Sequence, residues 1–128
     1  MNDLLTRLTS VLESEPEIQL ALLFGSHARA TAGEDSDLDL AILGYRPLST
    51  DFKFHLMQRL GGEFGLPVDL IDLHHTPEPV TGEALKGIRL IGADHVFAEL
   101  LIRHLDNVED FIPLQKRIFD ERRARWLH

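Results

Sequence analysis

The chain has 128 residues, a formal net charge of −8, 44% hydrophobic and 27% charged side chains, and no cysteine. That length suits one domain with a modest core, and the lack of cysteine excludes a disulfide framework and thiol chemistry. Residues 1–102 hold 7 basic and 16 acidic side chains and residues 103–128 hold 6 and 5, which argues against an extended nucleic-acid grip, since that needs Lys and Arg along the phosphates. No apolar run approaches the ~20 residues of a membrane span. Met1-Asn2-Asp3-Leu4-Leu5 has neither the basic start nor the long apolar core of a signal peptide. A cytoplasmic location and no membrane partner are expected.

Leu4, Leu5, Leu8, Val11 and Leu12 recur at helical spacing, which predicts an amphipathic helix over 2–14. Glu15-Pro16 ends it, because a residue before proline leaves the α region. The apolar run Ile18 to Phe24 reads as a first strand. Gly25 then allows a tight turn and close backbone approach. Ser26 falls near the N-cap of a short helix containing Ala28 and Arg29. Free N–H groups at a helix start, with a hydroxyl beside them, form a phosphate cradle. Arg29 lies three residues past Ser26 and on the same side. His27, within that turn, is expected at an exposed helix start.

Ten residues after Gly25-Ser26 comes Asp37-Leu38-Asp39, which opens a second strand over 37–43. Strand alternation puts Asp37 and Asp39 on one face and Leu38, Leu40 and Ile42 on the other. Two neighbouring carboxylates repel each other unless a cation joins them. Hard oxygen ligands at the edge of a nucleotide pocket suit Mg²⁺.

Gly44-Tyr45-Arg46-Pro47 signals a turn. Ser49-Thr50-Asp51 reads as the N-cap of a helix carrying Phe52, Phe54, His55, Leu56, Met57 and Leu60, closed by Gly61-Gly62 and Gly65. A third strand, Pro67 to Leu73, offers Asp69 and Asp72, which are three apart and so face opposite sides. His74 to Pro79 is a loop; adjacent His74 and His75 diverge, and no Cys or spaced His completes a zinc site. A short helix is expected around Val80 to Lys86, and Ile88 to Ile91 fits either a strand or a helix end. From Asp94 the pattern is helical, through Val96, Phe97, Leu100, Leu101, His104 and Leu105. Pro113 breaks it, and a last helix is expected from Leu114 to Trp126. Phe97, Phe111, Phe119 and Trp126 read as core or interface residues, and Arg46 and Lys53 as solvated ones. The order suits a single α/β (α+β) domain over 1–128, a small sheet backed by helices, with a helical region over about 94–128.

Gly25-Ser26-His27-Ala28-Arg29-Ala30, with Asp35-Ser36-Asp37-Leu38-Asp39-Leu40-Ala41, resembles the GSx10DxD signature of the polymerase-beta-like nucleotidyltransferase superfamily. Within it the stretch is most similar to the minimal nucleotidyltransferases (MNT), which are often antitoxins paired with HEPN-domain toxins. The motif covers residues 23–43, and the looser resemblance in size and element order covers nearly the whole chain. Ala30 stands where the family often has Gly. The resemblance implies a mixed sheet with its first two strands antiparallel and the carboxylates at one edge.

It also implies AMP transfer from ATP to a hydroxyl, here a tyrosine of a HEPN toxin, with two Mg²⁺ ions. Gly25, Ser26 and Arg29 would bind nucleotide, and Asp37 and Asp39 would hold both ions. Two-metal transfer needs one more acid. Val68-Asp69-Leu70 matches the family's hydrophobic-Asp-hydrophobic pattern, so Asp69 takes that role and Asp72 is left as a cap or turn residue. Two other readings stay open. One is a small-molecule hydroxyl acceptor such as an aminoglycoside, for which 128 residues leave little room for a further substrate domain. The other is an antitoxin that neutralises by binding alone, against which the full set of three aspartates argues.

Overall fold

The computed structural model describes residues 2–28, 37–76 and 80–111. Its elements run α1 (Asn2–Glu13), β1 (Ile18–Phe24), α2 (Gly25–Ala28), β2 (Leu38–Gly44), α3 (Thr50–Phe64), β3 (Val68–Asp72), α4 (Val80–Leu85), β4 (Ile88–Ile91) and α5 (Asp94–Phe111). The strands form one four-stranded sheet in the order β3-β2-β1-β4. β1 is antiparallel to both β2 and β4, while β2 and β3 are parallel. A parallel pair needs a long crossover, and α3 supplies it. Ile88–Ile91, which periodicity alone leaves between strand and helix, is a strand because the edge of β1 pairs with it.

Strand alternation divides the core between two helical layers. Ala21, Leu23, Leu38, Leu40 and Ile42 pack with Leu8 and Leu12 of α1 and Leu56 and Leu60 of α3. Leu20, Leu22, Ala41 and Leu43 pack on the other face with Leu73, Ala84, Val96 and Leu100. A register shift between Ile18 and Leu20 turns β1 by one residue, so Ile18 joins the face of Ala21 and Leu23. Each fully buried leucine contributes about 1.5–3 kcal/mol.

The caps of α3 define the loop that carries the chain to the next strand. Ser49 has φ −72° and ψ 157°, and its Oγ accepts the Phe52 N–H at 3.0 Å. Ser49→Ala is therefore expected to cost about 1 kcal/mol, read as a lower denaturation midpoint at unchanged slope in urea. Gly61 and Gly62, expected to close this helix, lie inside it. Only Gly65 turns left-handed, with φ 65°, and its N–H donates to the Gly61 carbonyl at 2.8 Å. Two mid-helix glycines cost about 1 kcal/mol each, and burial of Leu60 with the packing of Phe64 offsets that. The break at Pro113 and the helix Leu114 to Trp126 lie outside the described residues. No helix among the described residues is long and apolar enough to cross a membrane.

Candidate functional site

β1 ends in Phe24, and the chain turns at Gly25 with φ 73°. A side chain there is opposed twice. The backbone is left-handed, and a Cβ would overlap the Asp39 carboxylate. The glycine thus lets a turn close directly against an acid on the neighbouring strand. α2 follows as a single turn lying against β1 and β2. Ser26 is half-buried on it, and His27 is buried at 9% exposure. The expected exposed position for His27 is corrected: packing of the short helix against the sheet turns that ring inward. Arg29 lies outside the described residues.

Register brings the acids together. Phe24 pairs with Asp39, and Asp39 pairs with Asp69. Paired residues on adjacent strands project to the same face, about 4.8 Å apart. Phe24, Asp39 and Asp69 therefore form one row across β1, β2 and β3. Asp39 is half-buried and Asp69 exposed. Asp37 precedes β2 by one residue, two positions from Asp39, and is exposed. The α4 and α5 layer packs on this face at Ala41 and Leu43, further along β2.

Asp72 is placed quite differently. It pairs with Ile42, whose side chain belongs to the α1 and α3 layer, and it is only 6% exposed. Its Oδ2 accepts the Leu48 N–H and its Oδ1 accepts the His74 N–H, both at 2.9 Å. The two carboxylate oxygens thus tie the loop before α3 to the turn after β3. His74 adds to the same fastening, with Nε2 2.8 Å from the Gly44 carbonyl oxygen. Of the two aspartates on β3, Asp69 is the one that shares a face with Asp39.

Among the described residues, no three His, Cys, Asp or Glu side chains converge closely enough to hold a metal ion by themselves. Mg²⁺ rarely uses such an all-protein cage; it takes one or two carboxylates, substrate phosphates and water. Exposed Asp37 and Asp69 flanking Asp39, all hard oxygen donors, fit that open arrangement in kind. A surface groove of about 390 Å³ lined by Glu17, Tyr45, Arg46 and Leu48 lies at the far end of β2 and contains none of these acids.

The contact between Gly25 and the Asp39 carboxylate was not among the features expected from the sequence. Gly25 itself was the available signal, but its neighbour is set by the pairing of β1 with β2.

A family model described as polymerase beta, nucleotidyltransferase, matches residues 6–96. Protein adenylyltransferase MntA of Shewanella oneidensis is 38% identical over 58 residues, which are 45% of this chain and 42% of that protein. The chain thus aligns with less than half the length of that relative. A protein of Methanocaldococcus jannaschii is 27% identical over 86 residues, 67% of this chain and 88% of that protein. Among solved structures, a toxin–antitoxin complex with AMP-PNP superposes with a TM-score of 0.77 at 22% identity, over 94% of this chain and 98% of that chain. A tri-AMPylated Shewanella oneidensis HEPN toxin in complex with MNT antitoxin gives a TM-score of 0.74 at 22% identity, over 94% and 98% of the two chains. These structural likenesses are likenesses of fold.

Proposed function

The chain belongs to the polymerase beta nucleotidyltransferase family, and from that premise we propose that it transfers AMP from ATP to a tyrosine hydroxyl of a HEPN-domain toxin and acts as its antitoxin. The observation that carries this reading is the row Phe24–Asp39–Asp69 closed against Gly25. The aligned MntA, named as a protein adenylyltransferase, and the complex with a tri-AMPylated HEPN toxin suggest the donor and the acceptor.

In this reading Gly25 and Ser26 hold the β- and γ-phosphates, with Arg29 reaching the same anion. Asp37 and Asp39 would hold two Mg²⁺ ions, and Asp69 would share one of them. The chemistry such ions would supply there is neutralisation of phosphate charge and stabilisation of the ionised acceptor. The acceptor hydroxyl oxygen forms a bond to the α-phosphorus. The bond from that phosphorus to the oxygen bridging toward the β-phosphate breaks, and pyrophosphate leaves. The hydroxyl proton passes to the Asp69 carboxylate and on to solvent. What the residues contribute is mostly position and electrostatics. The work is done in the cytoplasm.

The test uses a cognate HEPN-domain toxin, identified by co-purification with the chain. Incubated with the chain, ATP and Mg²⁺, it is expected to gain the mass of one or more adenylyl groups, with an equal count of pyrophosphate released. Asp37→Asn is expected to lower that transfer by about 10²-fold or more. Unchanged transfer by this variant sinks the reading. Neutralisation of the toxin by Asp37→Asn with no adenylyl group added identifies a binder instead.

A further inference from the structure

Among the described residues β3 is an edge strand, hydrogen-bonded to β2 on one side only. The ladder fixes which of its groups face outward. The Leu38 N–H donates to the Pro67 carbonyl and the Leu73 N–H donates to the Ile42 carbonyl, both at 2.9 Å. In a parallel ladder the bonding residues alternate. The N–H and C=O of Asp69 and Ile71 therefore point to β2, and those of Val68 and Leu70 point away from it. Among the described residues, no turn, loop or cap backbone bond reaches Val68 or Leu70. The next outward carbonyl, on Asp72, accepts the His75 N–H at 3.0 Å, so the open edge stops there.

A short edge strand with two acids is ordinary protection against unwanted pairing. This edge differs in where it lies. On the reading of the previous subsection, phosphates enter at Gly25-Ser26, at the β1 end of the row. In-line displacement puts the attacking and leaving oxygens on opposite sides of the phosphorus. With pyrophosphate leaving toward the β1 end, an acceptor in line with it approaches from the Asp69 side of the row. Beyond Asp69 is the open edge of β3.

We infer that the acceptor polypeptide docks as an added strand on β3, paired through the backbone of Val68 and Leu70, so that its hydroxyl-bearing residue stands opposite Asp69. Such a residue extends the row Phe24–Asp39–Asp69 by one strand spacing of about 4.8 Å. Backbone pairing supplies affinity without demanding a sequence, and alternate side chains of the guest need pockets. A groove of about 290 Å³ runs along this edge, lined by Lys53, Leu70, Ile71, His75 and Val80, and receives them. The substrate class is thus an extended hydroxyl-bearing segment of a protein, not a free small molecule and not a residue held rigidly within a helix.

The inference rests on the nucleotidyl-transfer reading, and two parallel measurements separate them. The first is amide hydrogen exchange by NMR on the chain with Mg²⁺ and α,β-methylene ATP, which cannot release pyrophosphate, with and without that HEPN-domain toxin. The second is AMP transfer to that protein with ordinary ATP. The Val68 and Leu70 amides are expected to exchange freely in the chain alone and at least about 10-fold more slowly in the complex, as newly bonded edge amides do. The Asp69 and Ile71 amides should be protected in both. Val68→Pro deletes an outward N–H and no bond to β2, so it should raise the KM for the protein acceptor about fivefold and leave the KM for ATP unchanged. Transfer with unaltered exchange at Val68 and Leu70 overturns the edge docking and leaves the transfer reading standing. Slowing that appears in the chain alone as its concentration rises assigns the edge to a second copy and also overturns it. Absence of transfer overturns both.

Discussion

Asp69→Asn is expected to lower AMP transfer by about 10²–10³-fold or more while leaving thermal stability nearly unchanged, and Asp72→Asn is expected to do the reverse. The two acids are three residues apart on one strand, yet they belong to different parts of the molecule. Asp69 is exposed and stands across from Asp39, and two neighbouring carboxylates repel each other when no cation joins them. Removing its charge relieves that repulsion, so the melting temperature should hold or rise slightly. Asp72 is buried, and each of its carboxylate oxygens accepts a backbone N–H at 2.9 Å, from Leu48 and from His74. Asparagine offers one acceptor oxygen and one amino group, so one of those N–H donors is left facing another donor. With hydrogen bonds to a charged acceptor at stake, the cost is about 2–4 kcal/mol, a fall in melting temperature of roughly 6–15 °C for a chain of this size. Circular dichroism melts and label transfer from α-labelled ATP, assayed where both variants are folded, check the pair. An Asp72→Asn protein that is stable and inactive, beside an active Asp69→Asn protein, would assign the third acid to Asp72 instead.

That contrast marks where a sequence stops being readable. The strand period of two predicts a shared face for Asp37 and Asp39, and the structure has Asp39 on β2 with Asp37 one residue before it. Ser49 caps a helix through a contact only three residues long, which a local rule finds. The same period of two puts Asp69 and Asp72 on opposite faces but leaves open which face meets Asp39. That depends on the register of β2 with β3, a pairing across some thirty residues whose offset no periodicity encodes. The resemblance favoured Asp69, and the register places Asp69 opposite Asp39. Gly61 and Gly62 show a different limit. Local propensity reads them as a stop, but the packing of Leu60 and Phe64 carries α3 through them to Gly65. His27 fails for the same reason, because the burial of a one-turn helix is decided by the sheet beneath it.

Gly25→Ala and Gly65→Ala form the second informative pair. Both glycines are left-handed, with φ 73° and φ 65°. An L-residue in that region costs about 1–2 kcal/mol, so both variants should lose about that much in chemical denaturation. Their surroundings differ. Nothing lies within 4 Å of a Cβ at Gly65, whereas one at Gly25 overlaps the Asp39 carboxylate. Asp39 cannot retreat along its strand, because pairing with Phe24 on one side and Asp69 on the other holds its backbone. Relief must come from rotation of the carboxylate or displacement of the turn that leads into α2. Either one separates the phosphate-binding turn from the acid beside it, and a misplacement of about 1 Å in such a constellation costs about 10²-fold in rate. Gly25→Ala is therefore expected to lose about two orders of magnitude or more in kcat for AMP transfer, and Gly65→Ala almost nothing once both are assayed folded. Equal activities for the two variants would mean that the close approach of Gly25 to Asp39 serves the turn alone and has no part in the transfer.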